Sequence, residues 1–273
     1  MERNFASVTP VTSATPNPSV PAHLTPRQRL LRALRCQPAD RVPSWLMRQA
    51  GRYLPEYHEV RRNYDFLTLC KTPEAAAEVS VQPLKAIGSE AVIIFNDILV
   101  PLELCGAQVE FDDHGPVVHN PVRDVASLMP LMSREVEDEP VARTIELVRE
   151  RVGVETPILG FAGAPWTLAT YWVEGRVERN FRHIGELRFR DEPLLEQLLE
   201  LITATVIDYL KLQIRAGADA VQIFDTWGSL LSQSEYSRLS APYIRRIIEA
   251  IKPLRAPVIV YVNGCAPYLD QLA

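Results

Sequence analysis

The 273 residues, 47% hydrophobic and 23% charged, have the composition of an ordinary soluble globular protein, long enough for one large α/β domain or two small ones. A net charge of −5 and a pI near 5.6 argue against a general nucleic-acid or membrane-surface binder, and no apolar run approaches the length of a membrane span. Cys36, Cys70, Cys105 and Cys265 lie far apart with no Cys-x-x-Cys pair, so the expectation is four reduced thiols in a cytoplasmic protein. The five histidines (His23, His58, His114, His119 and His183) contain no spaced ligand set, and no metal site is expected.

Residues 1–24 are rich in Pro, Ser and Thr, with Pro10, Pro16, Pro18 and Pro21 blocking regular structure, and read as a disordered tail. Thr25-Pro26 is a helix start, an N-cap followed by proline at the first helical position, and the helix runs to about Cys36. Residues 42–47 form an apolar run that reads as a first buried strand. It delivers Arg48-Gln49-Ala50-Gly51-Arg52, a Gly-containing loop with two guanidinium forks suited to carboxylate or phosphate. Solvated arginines paired with Glu56 and Glu59 are the plainer alternative. Thr72-Pro73 repeats the helix-start signal, and Gly88 stops that helix.

Residues 91–95 are continuously apolar, the mark of a strand buried on both faces, and end in Asn96-Asp97. Residues 109–118 carry Asp112-Asp113-His114-Gly115-Pro116 between apolar residues and read as a hairpin. A helix over 141–152, with Val141, Ile145, Val148 and Val152 in register, precedes a third strand at 157–161 and the stretch Ala162-Gly163-Ala164-Pro165-Trp166. Pro193 opens the longest helix, with Leu195, Leu198, Ile202, Val206 and Tyr209 as its apolar stripe and Gly217 after its end. A fourth strand at 220–224 leads to Asp225-Thr226-Trp227-Gly228; a helix over 243–251 and a fifth strand at 258–262 follow.

Buried strands alternating with helices mean a parallel sheet in an α/β fold. Its natural closed form is the (β/α)8 TIM barrel, with about the first five β/α units in this chain, and chemistry at the carboxyl ends of the strands. An open doubly wound sheet is the alternative, though no Gly-rich phosphate turn accompanies it. What ends each strand is informative. Arg48 and Arg52, Asp97, Tyr171, and Asp225 with Thr226 would all meet at one barrel mouth, as a site for a multiply anionic, nitrogen-containing ligand requires. Each has a plainer reading: Asp97, Asp225 and Thr226 as helix caps, Tyr171 as core beside Trp166 and Trp172.

The run Met47-Arg48-Gln49-Ala50-Gly51-Arg52-Tyr53-Leu54-Pro55-Glu56 resembles the most recognisable motif of the uroporphyrinogen decarboxylase family. Phe95-Asn96-Asp97-Ile98-Leu99, the stretch from Gly160 through Leu168, Thr170-Tyr171-Trp172-Val173-Glu174-Gly175, and Ile223-Phe224-Asp225-Thr226-Trp227-Gly228 resemble further motifs of that family in its order. The resemblance runs from about Thr25 to the end of the sequence. It implies a homodimeric, cytoplasmic, cofactor-free carboxy-lyase of haem biosynthesis that converts the four acetate arms of uroporphyrinogen III to methyls, giving coproporphyrinogen III. It also implies that Arg48, Gln49, Ala50, Gly51, Arg52, Asp97, Tyr171 and Thr226 contact the substrate. Asp97 would stabilise a transient pyrrole cation and Arg48 is a candidate proton donor. Asn96 departs from a serine common in the family. The family continues through further strands and a late Asn-Leu-Gly-His-Gly motif that nothing here matches, so the reading is of a truncated barrel. A truncated, inactive remnant is one alternative. A barrel methyltransferase is another, but it would need a His-x-Cys zinc pair, and no histidine is followed two positions later by cysteine.

Overall fold

The computed structural model describes residues 23–47, 53–112, 115–131, 140–176 and 180–272. Among the described residues six strands form, β1 (Val92–Ile93), β2 (Val109–Asp112), β3 (Gly115–Val118), β4 (Ile158–Gly163), β5 (Ala220–Asp225) and β6 (Val258–Val262). Four of them make a parallel sheet in the order β1-β4-β5-β6, and β2 and β3 pair as an antiparallel hairpin. Strands adjacent in the sheet follow one another in the chain once the hairpin is set aside, the arrangement that successive β/α crossovers produce. Every residue of β4 is buried, as expected of a central parallel strand covered on both faces.

The helices cover that sheet through the stripes their sequences carry. On Glu192–Arg215, Leu195, Leu198, Ile202, Val206 and Tyr209 are all wholly buried. This helix packs on β4 and on the helices Pro165–Glu174 and Ala241–Ile251. It also reaches into the sheet. Gln213 accepts the Phe161 N–H on Oε1 at 2.7 Å and returns Nε2 to the Phe161 carbonyl at 2.9 Å. Gly160 makes that approach possible, because a Cβ there would collide with Gln213 Oε1. Thr25 caps Pro26–Leu34 in a reciprocal capping box with Gln28, and Gly88, Gly153 and Gly217 take positive φ after their helices.

Charges close the amino-terminal end of the sheet. Asp219, just before β5, accepts from Arg27 at 2.7 Å, Arg149 at 2.6 Å and the Ile158 amide at 2.8 Å. Before β1, Arg29 makes a bidentate pair with Asp40, at 2.7 Å in each arm, and reaches Glu90 at 2.7 Å. Hydrogen bonding from Arg29 holds the Asp40 carboxyl well below the usual range. Burial pushes Glu90 up, but the Ser44 amide, Arg41 and Arg29 outweigh it and leave the group below its ordinary value.

Three expectations need correction. Residues 42–47 do not form a strand. Val42 is 84% exposed, the Ser44 amide is taken by the Glu90 carboxylate at 2.8 Å, and the Ser44 carbonyl accepts the Glu90 N–H at 3.0 Å. The strand expected at 91–95 keeps two residues in the ladder, because the Phe95 amide turns away to the Ser80 hydroxyl of the helix Pro73–Ala86 at 2.7 Å. Among the described residues four parallel strands are therefore present where five were expected, and the sheet does not close on itself. Of the expected tail, residues 1–22 lie outside the described residues; Leu24 is buried, and its carbonyl accepts from Arg29 at 2.9 Å.

Candidate active site

At the carboxyl-terminal end of the sheet the described residues enclose a cavity of about 880 Å³. Asp97, Tyr171 and Thr226, taken from three separate β/α connections, all line it. The stretch Arg48, Gln49, Ala50, Gly51 and Arg52 lies outside the described residues, but Met47 and Tyr57 on either side of it line the cavity.

Each of the three residues reaches the cavity for a local reason. Asp97 follows β1 where the chain has left the ladder. Its Oδ1 accepts the Leu99 amide at 2.8 Å, so part of its capacity serves the local turn, although the helix Val100–Leu104 that follows has Leu99 and not Asp97 at its N-cap; the residue stays half-buried on the cavity. Tyr171 is the one residue of the helix Pro165–Glu174 that is not buried, and its ring packs 5.9 Å from that of Trp227. Thr226 is half-buried directly after β5.

Asp225 is turned away from the cavity. It is wholly buried, accepting from Thr167 at 2.7 Å and Ser240 at 2.6 Å, which ties β5 to the helices on either side. Burial raises its pKa, against the opposing hydrogen bonds from Ser240 and Thr167. The sequence does not separate Asp225 from Thr226, since two adjacent polar residues at a strand end face opposite ways.

The cavity walls are aromatic, a feature that strand-end reading missed. Phe161, Phe224 and Tyr261 stand in a row across β4, β5 and β6, with ring centroids 5.6 and 5.8 Å apart. Opposite them, Phe66 packs 4.7 Å from Phe111 of the hairpin and 5.8 Å from Phe95. Arg61, half-buried at the end of the helix Pro55–Arg61, is a further cationic side chain on the lining. Nothing in its local sequence distinguishes it from Arg62, which pairs with Glu59 at 2.7 Å. Asp65 is committed elsewhere: it caps Phe66–Lys71, and the Thr68 hydroxyl and amide hold its carboxyl below the usual range. Glu110 and Asp112 of the hairpin pair with His119 at 2.8 Å and Arg176 at 2.7 Å.

Among the described residues no three His, Cys, Asp or Glu side chains come together as a metal-binding group. Cys70 and Cys105 are buried; burial pushes both thiols up, that of Cys105 to about 11.

A parallel α/β sheet with an aromatic-walled cavity at its carboxyl edge, lined by an acid after β1, a phenol on the helix after β4 and a hydroxyl after β5, is the arrangement of an α/β enzyme. The sequence model described as uroporphyrinogen decarboxylase matches residues 25–273. The chain is 47% identical over 246 residues to the uroporphyrinogen decarboxylase of Myxococcus xanthus, covering 89% of this chain and 71% of the relative. It is 46% identical over 248 residues to that of Chloroherpeton thalassium, covering 89% and 70% respectively. This chain belongs to the uroporphyrinogen decarboxylase family. Among solved structures, a methyltransferase from Methanosarcina mazei superposes with a TM-score of 0.72 at 21% identity, covering 92% of this chain and 73% of that one. At that identity the likeness establishes the shared fold alone.

Proposed function

We propose that this cavity is the substrate site of a uroporphyrinogen decarboxylase, which removes carbon dioxide from the four acetate arms of uroporphyrinogen III to give coproporphyrinogen III. The observation that carries the reading is the convergence of Asp97, Tyr171 and Thr226 on one aromatic-walled cavity of about 880 Å³. That volume is near the top of the range for small-molecule sites, roughly 300–1,000 Å³.

The chemistry follows from the substrate. A proton added to a ring carbon turns a pyrrole into a cation. The bond between an acetate methylene and its carboxylate then breaks, carbon dioxide leaves, and the electron pair moves into the cationic ring. A proton reaching the exocyclic carbon makes the methyl, and loss of the ring-carbon proton restores the pyrrole. The ring supplies its own electron sink, so this chemistry calls for no added cofactor. Asp97 faces the pyrrole N–H groups and stabilises the cation as it forms. Arg48 and Arg52, with the Gln49-Ala50-Gly51 backbone between them, hold carboxylate arms through charge-assisted bonds worth about 1.5–3 kcal/mol each. Arg61 adds a third guanidinium to that task. Tyr171 and Thr226 donate hydroxyls to further arms. Arg48 is placed by the motif for proton delivery, although a free guanidinium is a weak acid.

The same reading makes the chain a cytoplasmic homodimer. Residues 25–273 supply successive β/α units of a (β/α)8 barrel. Two features support the barrel: the parallel order β1-β4-β5-β6, and a β6 that is half-buried at the sheet edge. The test is anaerobic incubation of the chain with uroporphyrinogen III, with products separated by carboxylate count. Stepwise loss of the four acetate carboxylates is expected; substrate returned unchanged overturns the proposal.

A further inference from the structure

If Asp97 is the acid of this site, the structure shows what holds it. Asn96 is half-buried and reaches in two directions. Its Oδ1 accepts the Asp97 backbone N–H at 2.9 Å, and its Nδ2 donates to the Tyr209 hydroxyl at 2.6 Å. A backbone N–H can only donate, so the amide oxygen must face Asp97 and the NH2 group must face Tyr209.

Tyr209 is an unusually fixed anchor. It is wholly buried on Glu192–Arg215, between Val206 and Leu210, which are also wholly buried. Asn96 is also shared by two cavities. It lines the large cavity and a second one of about 200 Å³ behind it, which Cys70, Val141 and Tyr209 also line. Space behind the strand end leaves Asn96 room to turn away, and the hydrogen bond to Tyr209 opposes that movement. A side chain with one heavy atom beyond Cβ could accept from the Asp97 amide but could not also reach Tyr209.

We propose that Asn96, anchored by Tyr209, is a positioning residue for Asp97. The pair fixes the backbone from which the acid projects, so that its carboxylate is already oriented when the pyrrole cation forms. The proposal rests on the decarboxylase reading above and deepens it.

The test uses the full chain with Asn96→Ala, Asn96→Ser, Tyr209→Phe, the double variant Asn96→Ser/Tyr209→Phe, and Asp97→Asn as reference. Two quantities are read: decarboxylation of uroporphyrinogen III under anaerobic conditions, and native-state hydrogen exchange at the Asp97 amide. Asn96→Ala is expected to lower kcat about five- to tenfold, the loss that one hydrogen bond implies, with KM within about twofold. Exchange at the Asp97 amide should rise by a similar factor while other core amides are unchanged. Tyr209→Phe should have a smaller effect in the same direction, and no further effect in the Asn96→Ser background. If Asn96→Ala does not fold, Asn96→Ser and Tyr209→Phe carry the same comparison. A uniform rise in exchange with kcat preserved means a structural role and overturns the proposal, as does unchanged exchange at Asp97. Full turnover by Asp97→Asn removes Asp97 itself from the chemistry, and the proposal falls with that reading. Impaired Asp97→Asn beside unimpaired Asn96→Ala sinks the positioning role alone.

Discussion

The two ends of the parallel sheet handle polar groups in opposite ways. At the amino-terminal end, Asp219 is nearly inaccessible and meets two guanidiniums and a backbone amide, and Arg29 is clasped by Asp40 and Glu90. At the carboxyl-terminal end, Asp97, Tyr171, Thr226 and Arg61 are half-buried around a cavity. One end uses charge to lock strands and helices together; the other keeps charge at a surface where a ligand can meet it. In α/β sheets of this kind the lesson is directional: groups at the strand starts serve stability, and the strand ends are where a ligand is met, although a strand-end acid turned inward, as Asp225 is, serves structure.

Substitutions at the two ends should therefore fail in different ways. The largest effect is expected from Asp97→Asn, which should leave substrate binding and folding intact and lower turnover about 10²–10³-fold, the usual loss when a preorganised charge partner is removed. Turnover near the native rate would break the comparison at its functional end. Asp219→Ala should do the reverse, costing about 3 kcal/mol in denaturant unfolding while the folded protein keeps its KM. That figure is the low end for a broken buried ion pair, because Arg27 and Arg149 partly reach solvent. A smaller loss is expected from Tyr171→Phe, about two- to tenfold in kcat/KM with no change in melting temperature, since the ring still packs on Trp227.

The subtlest expected effect is one of pH, and its sign differs between the paired carboxylates Asp40 and Glu90 and the buried Asp225. Asp40 and Glu90 have lowered pKa values in the folded chain, so their contribution is present above the ordinary carboxylate values of about 3.9–4.3. It is lost as pH falls through the lowered ones. Asp225 has a raised pKa. As pH rises past about 3.9 the unfolded chain releases its proton first, and the native state loses stability until the buried group ionises too. Asp225→Asn keeps both hydroxyl contacts possible, with Thr167 and Ser240, and should gain on the native chain as pH rises from about 4. Unfolding curves at a series of pH values give the slope; parallel pH profiles for the two proteins would mean that Asp225 has no such linkage.

Much of this was legible in the residues. The hairpin, β4, β5, β6 and the stripe of Glu192–Arg215 follow from alternation, continuous apolar runs and 3.6-residue spacing, because in each case neighbours along the chain share one environment. Residues 42–47 satisfied the same pattern and formed no strand, because Glu90, distant in sequence, takes the Ser44 amide. Placing Asp97, Tyr171 and Thr226 together required the inference that strand ends share a rim, and all three line one cavity.

The sequence by itself therefore determined the hairpin, the strands β4, β5 and β6, the Thr25 cap and the family, since these depend on local periodicity and on motifs read in line. Only the tertiary structure decided which of Asp225 and Thr226 faces the cavity, that Arg61 joins its lining, and that Tyr209 holds Asn96 from 113 residues away. Those outcomes depend on the direction of a side chain relative to residues far along the chain, and local spacing carries no record of that direction.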